Sequence, residues 1–298
     1  MFETGTVTDG GLETDLIFHH GIDLPAFAAF PLLDDERGRA LLTDYYRGYA
    51  DIARDAGAGL VLESATWRAN PDWGAAVGYD TAALDRVNRE SIEFLCELRE
   101  QFAVADTTIG GAIGPRGDGY RPGARVDPDE AAMYHRAQLD AFAAAGADLA
   151  TAYTLTDPGE AVGVVLAARQ AGLPIGISFT VETDGRLPDG TSLKDAIAAV
   201  DEAAPPDHFG VNCAHPTHVR PALEDGMWRE RIKVLRANAS KQSHAELDDA
   251  DELDDGDPAE LAAAQHAIAP LLPTVTVLGG CCGTDVRHVA ALWNVSAT

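Results

Sequence analysis

The chain is poor in cations and almost devoid of lysine. Its 298 residues carry 22 Lys and Arg against 48 Asp and Glu, a formal net charge of −26, and the lysines number three, Lys194, Lys233 and Lys241. Phosphate backbones and anionic membrane surfaces bind clustered Lys and Arg, so neither a nucleic-acid nor a membrane partner is expected. No stretch approaches the roughly 20 uncharged apolar residues of a membrane-spanning helix. Residues 1–11 lack the basic flank, apolar run and small-residue cleavage site of a secretory leader, which predicts a cytoplasmic home. Cysteine is scarce too, with four residues, Cys96, Cys213, Cys281 and Cys282. In an intracellular chain of this length so few cysteines read as thiols or metal ligands rather than as a disulfide framework. An internal repeat and an interdomain linker are both missing, so residues 1–298 are expected to form one domain.

What is present is an alternation of short apolar or β-branched runs with amphipathic helical stretches. Strands are predicted at 6–9, 59–66, 107–114, 148–154, 174–180, 208–213, 232–239 and 275–281. Each is followed by a helical stretch, the clearest at 35–56, 81–102, 128–145, 158–171 and 258–269. Asp127, Asp157 and Asp257 each precede a proline, the pairing of an N-cap acid with proline at the first helical position. Gly57, Gly146 and Gly172 fall where helices should end. Eight such units favour an α/β fold with a single (β/α)₈ TIM barrel over an open doubly wound sheet, and in such barrels the chemistry gathers at the C-terminal ends of the strands.

Cys213 ends the sixth strand run, and Cys281 and Cys282 end the eighth. Adjacent cysteines rarely bond to each other, because disulfide geometry demands a separation and torsion that neighbours reach only under strain. Two thiolates from one turn and a third from a distant strand form a tripod, the ligand set of a catalytic Zn²⁺ with its fourth position open. Zinc-bound thiols are deprotonated, so an acceptor thiol entering that position becomes a nucleophile at neutral pH, which suits alkyl transfer better than hydrolysis. Three other readings stay open. The cysteines can be small core residues beside a plain glycine turn, the metal can activate water in a hydrolase or lyase, or the barrel can be a non-catalytic zinc store or redox sensor. His215 and His218, just past Cys213, are the histidines to watch for the second of these. Cys96, inside a helical pattern, is expected in the core. The segment 246–257 carries eight carboxylates in 12 residues and is expected as a solvated loop near the mouth of the pocket, since it follows the seventh strand.

Asp9-Gly10-Gly11, Gly210-Val211-Asn212-Cys213 and Gly279-Gly280-Cys281-Cys282-Gly283, together with Gly114-Pro115, the helix from His135 to Gln138 and the stretch from Leu187 to Leu193, resemble the homocysteine S-methyltransferase family over nearly the whole chain. The resemblance implies a (β/α)₈ barrel, zinc on Cys213, Cys281 and Cys282, and methyl transfer from a cationic sulfonium or quaternary ammonium donor to homocysteine, a step of methionine synthesis. Its small-molecule partners are thus a thiol acceptor and a cationic methyl donor. It places Asn212 beside the first ligand, Asp9 at the substrate end and Trp67 as the aromatic residue after the second strand. Folate- and cobalamin-dependent relatives carry extra domains, so a free donor is expected, with Trp67, Trp73, Tyr79 and Tyr153 as candidate aromatic faces for a cation. Two positions depart from the pattern. Arg68 stands where some relatives carry Tyr or Gln, and Tyr153 occupies the place of the family's acceptor-binding Glu. A tyrosine carries no charge near pH 7, so an acceptor ammonium needs another anion, for which Asp9, Glu63 and Glu182 are the candidates.

Overall fold

The computed structural model describes residues 5–119, 123, 125–248, 250 and 252–297. Residues 1–4 of the leader reading, and Asp249 and Asp251 of the acidic segment, lie outside the described residues. Eight parallel strands close on themselves in sequence order: β1 (Thr6–Val7), β2 (Gly59–Glu63), β3 (Thr107–Ile113), β4 (Leu149–Leu155), β5 (Ile175–Phe179), β6 (His208–Asn212), β7 (Ile232–Ala237) and β8 (Val277–Gly280). The last strand pairs with the first through Thr6 with Val277 and Val7 with Leu278. The expected (β/α)₈ barrel is the fold.

Among the described residues shorter helices lie in the loops and a main helix follows each strand: α1 (Glu36–Ala56), α2 (Thr81–Phe102), α3 (Pro128–Ala145), α4 (Pro158–Ala171), α5 (Leu193–Ala203), α6 (Pro216–Ala222), α7 (Pro258–Ile268) and α8 (Val286–Trp293). The carboxylates of Asp127, Asp157 and Asp257 accept backbone N–H groups at the starts of α3, α4 and α7, as their place before proline predicts. Gly57, Gly146 and Gly172 stop α1, α3 and α4 in the left-handed conformation. Cys96, in α2, is half-buried and packs against the core. Among the described residues no helix is long and apolar enough to cross a membrane.

Several strands end earlier than their hydrophobic runs predict. β1 stops at Val7 rather than at 9, β2 at Glu63 rather than at 66, and β7 at Ala237 rather than at 239. The residues beyond are buried in the rim and keep part of the pairing, with the Thr8 N–H on the Leu278 carbonyl at 3.0 Å, the Gly280 N–H on the Asp9 carbonyl at 2.9 Å and the Ser64 N–H on the Gly110 carbonyl at 2.9 Å, and after β2 side chains add to it. Ser64 Oγ accepts the Ala112 N–H at 2.9 Å, and Thr66 Oγ1 donates to the Ala112 carbonyl at 2.8 Å.

Helices α3 and α4 pack closely at Gly163, where a Cβ would lie 2.4 Å from that of Ala131 and 2.5 Å from the Pro128 carbonyl oxygen. Helix propensity favours alanine there by about 1 kcal/mol, and the clash outweighs it. We expect Gly163→Ala to destabilise the protein by about 2 kcal/mol in urea denaturation; a stabilised variant would show that the helices can move apart at little cost.

Candidate metal and substrate site

The sulfurs of Cys213, Cys281 and Cys282 lie within 4.8 Å of one another, with Cys213 and Cys282 3.5 Å apart and none of the three in a disulfide. Zinc bonds thiolate at about 2.3 Å, which spaces the sulfurs of a tetrahedral site by about 3.8 Å, so the three fit a single ion. No histidine or carboxylate joins this cluster among the described residues. Local backbone geometry makes the convergence possible. Cys213 follows β6 with φ +56°, a left-handed turn that swings it out of the strand direction. Its carbonyl is held by Thr180 Oγ1 at 3.2 Å and His244 Nε2 at 2.7 Å. Cys281 leaves β8 through Gly280, where a Cβ would fall 1.9 Å from Thr284 Oγ1. Opposite, Gly11 lets the first loop pass against the Cys281 carbonyl, 2.6 Å from where its Cβ would be.

Hydrogen bonds from Cys213 and Cys282, then the charge of Arg236 and a contact from Asn212, hold the Cys281 thiol well below its ordinary pKa despite burial. The same sharing drives Cys213 upward. Asn212 positions its surroundings: its Nδ2 reaches Cys281 Sγ at 3.7 Å and Thr154 Oγ1 at 2.8 Å, while its Oδ1 accepts Ser178 Oγ at 2.7 Å and the Thr154 N–H at 2.9 Å. Thr154, at φ +61°, breaks the pairing register of β4 with β5.

Cys281 and Cys282 form one wall of a cavity of about 600 Å³ inside the barrel mouth, which Asp9, Glu63, Trp67, Tyr153 and Asn212 also line. Asp9 Oδ1 pairs with the Arg236 guanidinium at 2.6 Å, and its Oδ2 accepts the Tyr45 hydroxyl at 3.1 Å. Burial pushes the Asp9 carboxyl upward and Arg236 opposes it. Burial works against the Arg236 charge as well, but Asp9 and its other neighbours keep it firmly protonated. Tyr153 donates to Glu63 Oε1 at 2.7 Å. Desolvation raises Glu63 to about 7, against the pull of Arg236 and the Tyr153 hydrogen bond, and burial likewise raises Glu13 to about 7.

Several of the remaining candidates fall outside this cavity. Glu182 does not line the cavity; it accepts from His244 Nδ1 at 2.8 Å, behind the Cys213 carbonyl. Trp67 lines the cavity and donates to the Tyr153 carbonyl at 3.3 Å. Trp73 instead stacks on Arg68, whose guanidinium lies 3.8 Å from its ring and 4.1 Å from that of Trp67. Tyr79 hydrogen-bonds Asp34 and packs edge-on against Phe30. His215 bonds Thr217 and His218 bonds the Lys241 carbonyl, so neither joins the sulfurs. The acidic segment does reach the mouth: Glu252, Leu253 and Asp254 line an outer cavity of about 1110 Å³ that shares Thr14, Phe27, Trp67 and Cys282 with the inner one.

Two charged inner-cavity residues, Arg236 and Glu13, carry no expectation from the sequence, nor does the aromatic Phe27. A charged residue near the end of a strand, inside the apolar run Val234-Leu235-Arg236-Ala237, was the available signal for the first. For Glu13 the signal was weaker, an acid two residues past the Gly10-Gly11 turn.

The family model described as homocysteine S-methyltransferase matches residues 6–295. The chain belongs to the homocysteine S-methyltransferase family. It is a methyltransferase. It is 28% identical over 275 residues to the homocysteine S-methyltransferase of Escherichia coli, covering 85% of this chain and 82% of that one. It is 25% identical over 259 residues to a selenocysteine Se-methyltransferase of Brassica oleracea, covering 78% and 71%. The metallated form of the Escherichia coli homocysteine methyltransferase MmuM has the same fold, with TM-score 0.75 at 22% identity over 97% of this chain and 95% of that one.

The Asp9–Arg236 pair yields a direct stability prediction. Asp9→Asn leaves a guanidinium buried without its counter-charge, and removing one partner of a buried pair costs about 3–5 kcal/mol. Chemical denaturation should register a loss of that order, and a loss under about 1 kcal/mol would mean that the backbone carbonyls around Arg236 satisfy it alone.

Proposed function

We propose that the protein moves a methyl group from a soluble sulfonium or quaternary ammonium donor to the thiol of homocysteine, with Zn²⁺ held by Cys213, Cys281 and Cys282. The observation that carries this reading is the convergence of three sulfurs, with no other ligand type among them, on the wall of a cavity lined by carboxylates and aromatic rings. Bound there, zinc would supply a Lewis acid that lowers the pKa of an incoming thiol, while three thiolate ligands would leave that sulfur electron-rich.

The chain's own residues do the rest. Asn212 fixes Cys281 and the Thr154 turn. Asp9, braced by Arg236, and Glu63, braced by Tyr153, offer negative charge to an amino-acid acceptor. Trp67 and Phe27, meeting edge to face at 6.4 Å, stand where the two cavities join; they exclude water and turn aromatic surface toward a cationic donor. In the transfer, the acceptor thiolate sulfur forms a bond to the methyl carbon as the carbon–onium bond breaks, and its electron pair leaves with the donor. A sulfonium donor departs as a neutral thioether and an ammonium donor as a tertiary amine. Positioning and nucleophile activation supply the acceleration. Homocysteine is supported by family membership and by the names of the Escherichia coli and Bacillus subtilis relatives.

Metal analysis should find one zinc per chain, lost with activity in the Cys281→Ala, Cys282→Ala double variant; stoichiometric zinc in that variant would overturn the ligand assignment. A turnover screen pairing homocysteine with S-methylmethionine, S-adenosylmethionine and betaine identifies the donor. Asp118, Glu252 and Asp254 line the outer cavity, so a cationic donor should be drawn in electrostatically. Raising salt from about 0.05 to 0.5 M shortens the screening length to a few ångströms and should raise the donor KM several-fold, whereas a salt-independent KM would deny the acidic rim that role.

A further inference from the structure

One guanidinium and three carboxylates line the inner cavity among the described residues: Arg236, with Asp9, Glu13 and Glu63. Arg236 is committed to Asp9 at 2.6 Å, and the second Asp9 oxygen accepts from Tyr45, so both oxygens of Asp9 are engaged. Glu63 is held differently. It ends β2 and is 4% exposed. Its Oε1 accepts the Tyr153 hydroxyl, and its Oε2, equally buried, has no hydrogen-bond partner among the described residues. A buried carboxylate oxygen without a donor is costly unless the group stays protonated or a cation arrives. The strand opposite makes room for it: Gly110 pairs with Glu63 across β2 and β3, and a Cβ there would stand 2.5 Å from Oε2.

We propose that Glu63 determines acceptor specificity by receiving the ammonium of an α-amino thiol on Oε2, with Tyr153 as the positioning residue that fixes the carboxylate through Oε1. This rests on the methyl-transfer reading above and names the residue that selects the acceptor. Tyr153 cannot supply the charge itself, because burial and the neighbouring Glu63 carboxylate push its ionisation well above the ordinary tyrosine value. The groups facing Glu63 are Arg236 and Tyr153, which favour its ionised form, Asp9, which opposes it, and Tyr46, whose hydroxyl donates to its backbone carbonyl at 2.6 Å. Glu13 lines the same cavity. An arriving ammonium stabilises the ionised carboxylate, so acceptor affinity should improve as pH rises toward about 7, where Glu63 titrates, and then level off.

The test compares homocysteine with 4-mercaptobutanoate, the same thiol acid without its amino group, in the zinc-loaded wild type, Glu63→Gln and Tyr153→Phe. Glu63→Gln should raise the KM for homocysteine by about 10- to 100-fold, the span of one charged hydrogen bond, with kcat changed by less than about 3-fold. Its KM for 4-mercaptobutanoate should stay within about 2-fold of wild type. The fall in homocysteine KM between pH 6 and 8 should flatten in this variant. Tyr153→Phe keeps the charge and loses its brace, so a smaller rise of about 3- to 10-fold is expected, again confined to homocysteine. Equal changes for both thiols, or none for either, would overturn the proposal. The melting-temperature shift that each thiol induces reads the same contrast without turnover. Wild-type protein inactive with every donor would therefore refute methyl transfer while the Glu63 contrast remained measurable, and an active wild type with no such contrast would refute Glu63 alone.

Discussion

The guanidinium of Arg236 sits in the seam where the eighth strand closes on the first. From β7 it donates through Nε to the Gly280 carbonyl at 2.9 Å and through Nη2 to the Gly10 carbonyl at 3.0 Å, and it pairs with Asp9. A buried cation is tolerated only with its partners in place, because leaving it unmatched costs several kcal/mol. The three strands it ties are therefore held in one relative position. Gly280 precedes Cys281 and Gly10 follows Asp9, so a single side chain aligns the thiols and the substrate cavity together. Removing it would unfasten both at once.

The thiols meet because two strands end in unusual ways. The left-handed turn at Cys213 and the glycine exit from β8 bring side chains from opposite sides of the seventh strand to one point. His244 then caps the arrangement from the segment after β7, bridging the Cys213 carbonyl and Glu182. That contact anchors the start of the acidic stretch above the mouth. Glu182 thus acts at a distance from the inner cavity, through the histidine that holds the Cys213 carbonyl.

The chemical alternatives fare unequally against this geometry. Water-activating zinc sites draw on histidine and carboxylate ligands, and here the nearby histidines are engaged with Thr217 and the Lys241 carbonyl. A sulfur-only set beside a carboxylate-lined inner cavity and an aromatic, acidic outer one favours a thiol acceptor and a cationic donor over water. The two cavities share Thr14, Phe27, Trp67 and Cys282, so both open onto the sulfur cluster.

The amino-acid sequence by itself determined the barrel and the identity of the thiol set. Eight strand and helix pairs follow from local periodicity, from acids placed before prolines and from glycines after helices, all interactions spanning a few residues, and they survive in the fold with strand ends shifted by one to three positions. Cys213, Cys281 and Cys282 were legible because barrel topology sends every strand end to the same face. Which carboxylates share the cavity was decided only by the tertiary structure. Glu63 meets Tyr153 across 90 residues of chain, and Asp9 meets Arg236 across the closing seam. Glu182, similar to Glu63 in sequence context, turns away to His244. Nothing local separates these cases, since the direction of a side chain at a strand end depends on twist, on register and on the glycine across from it, and those are fixed only when the barrel closes.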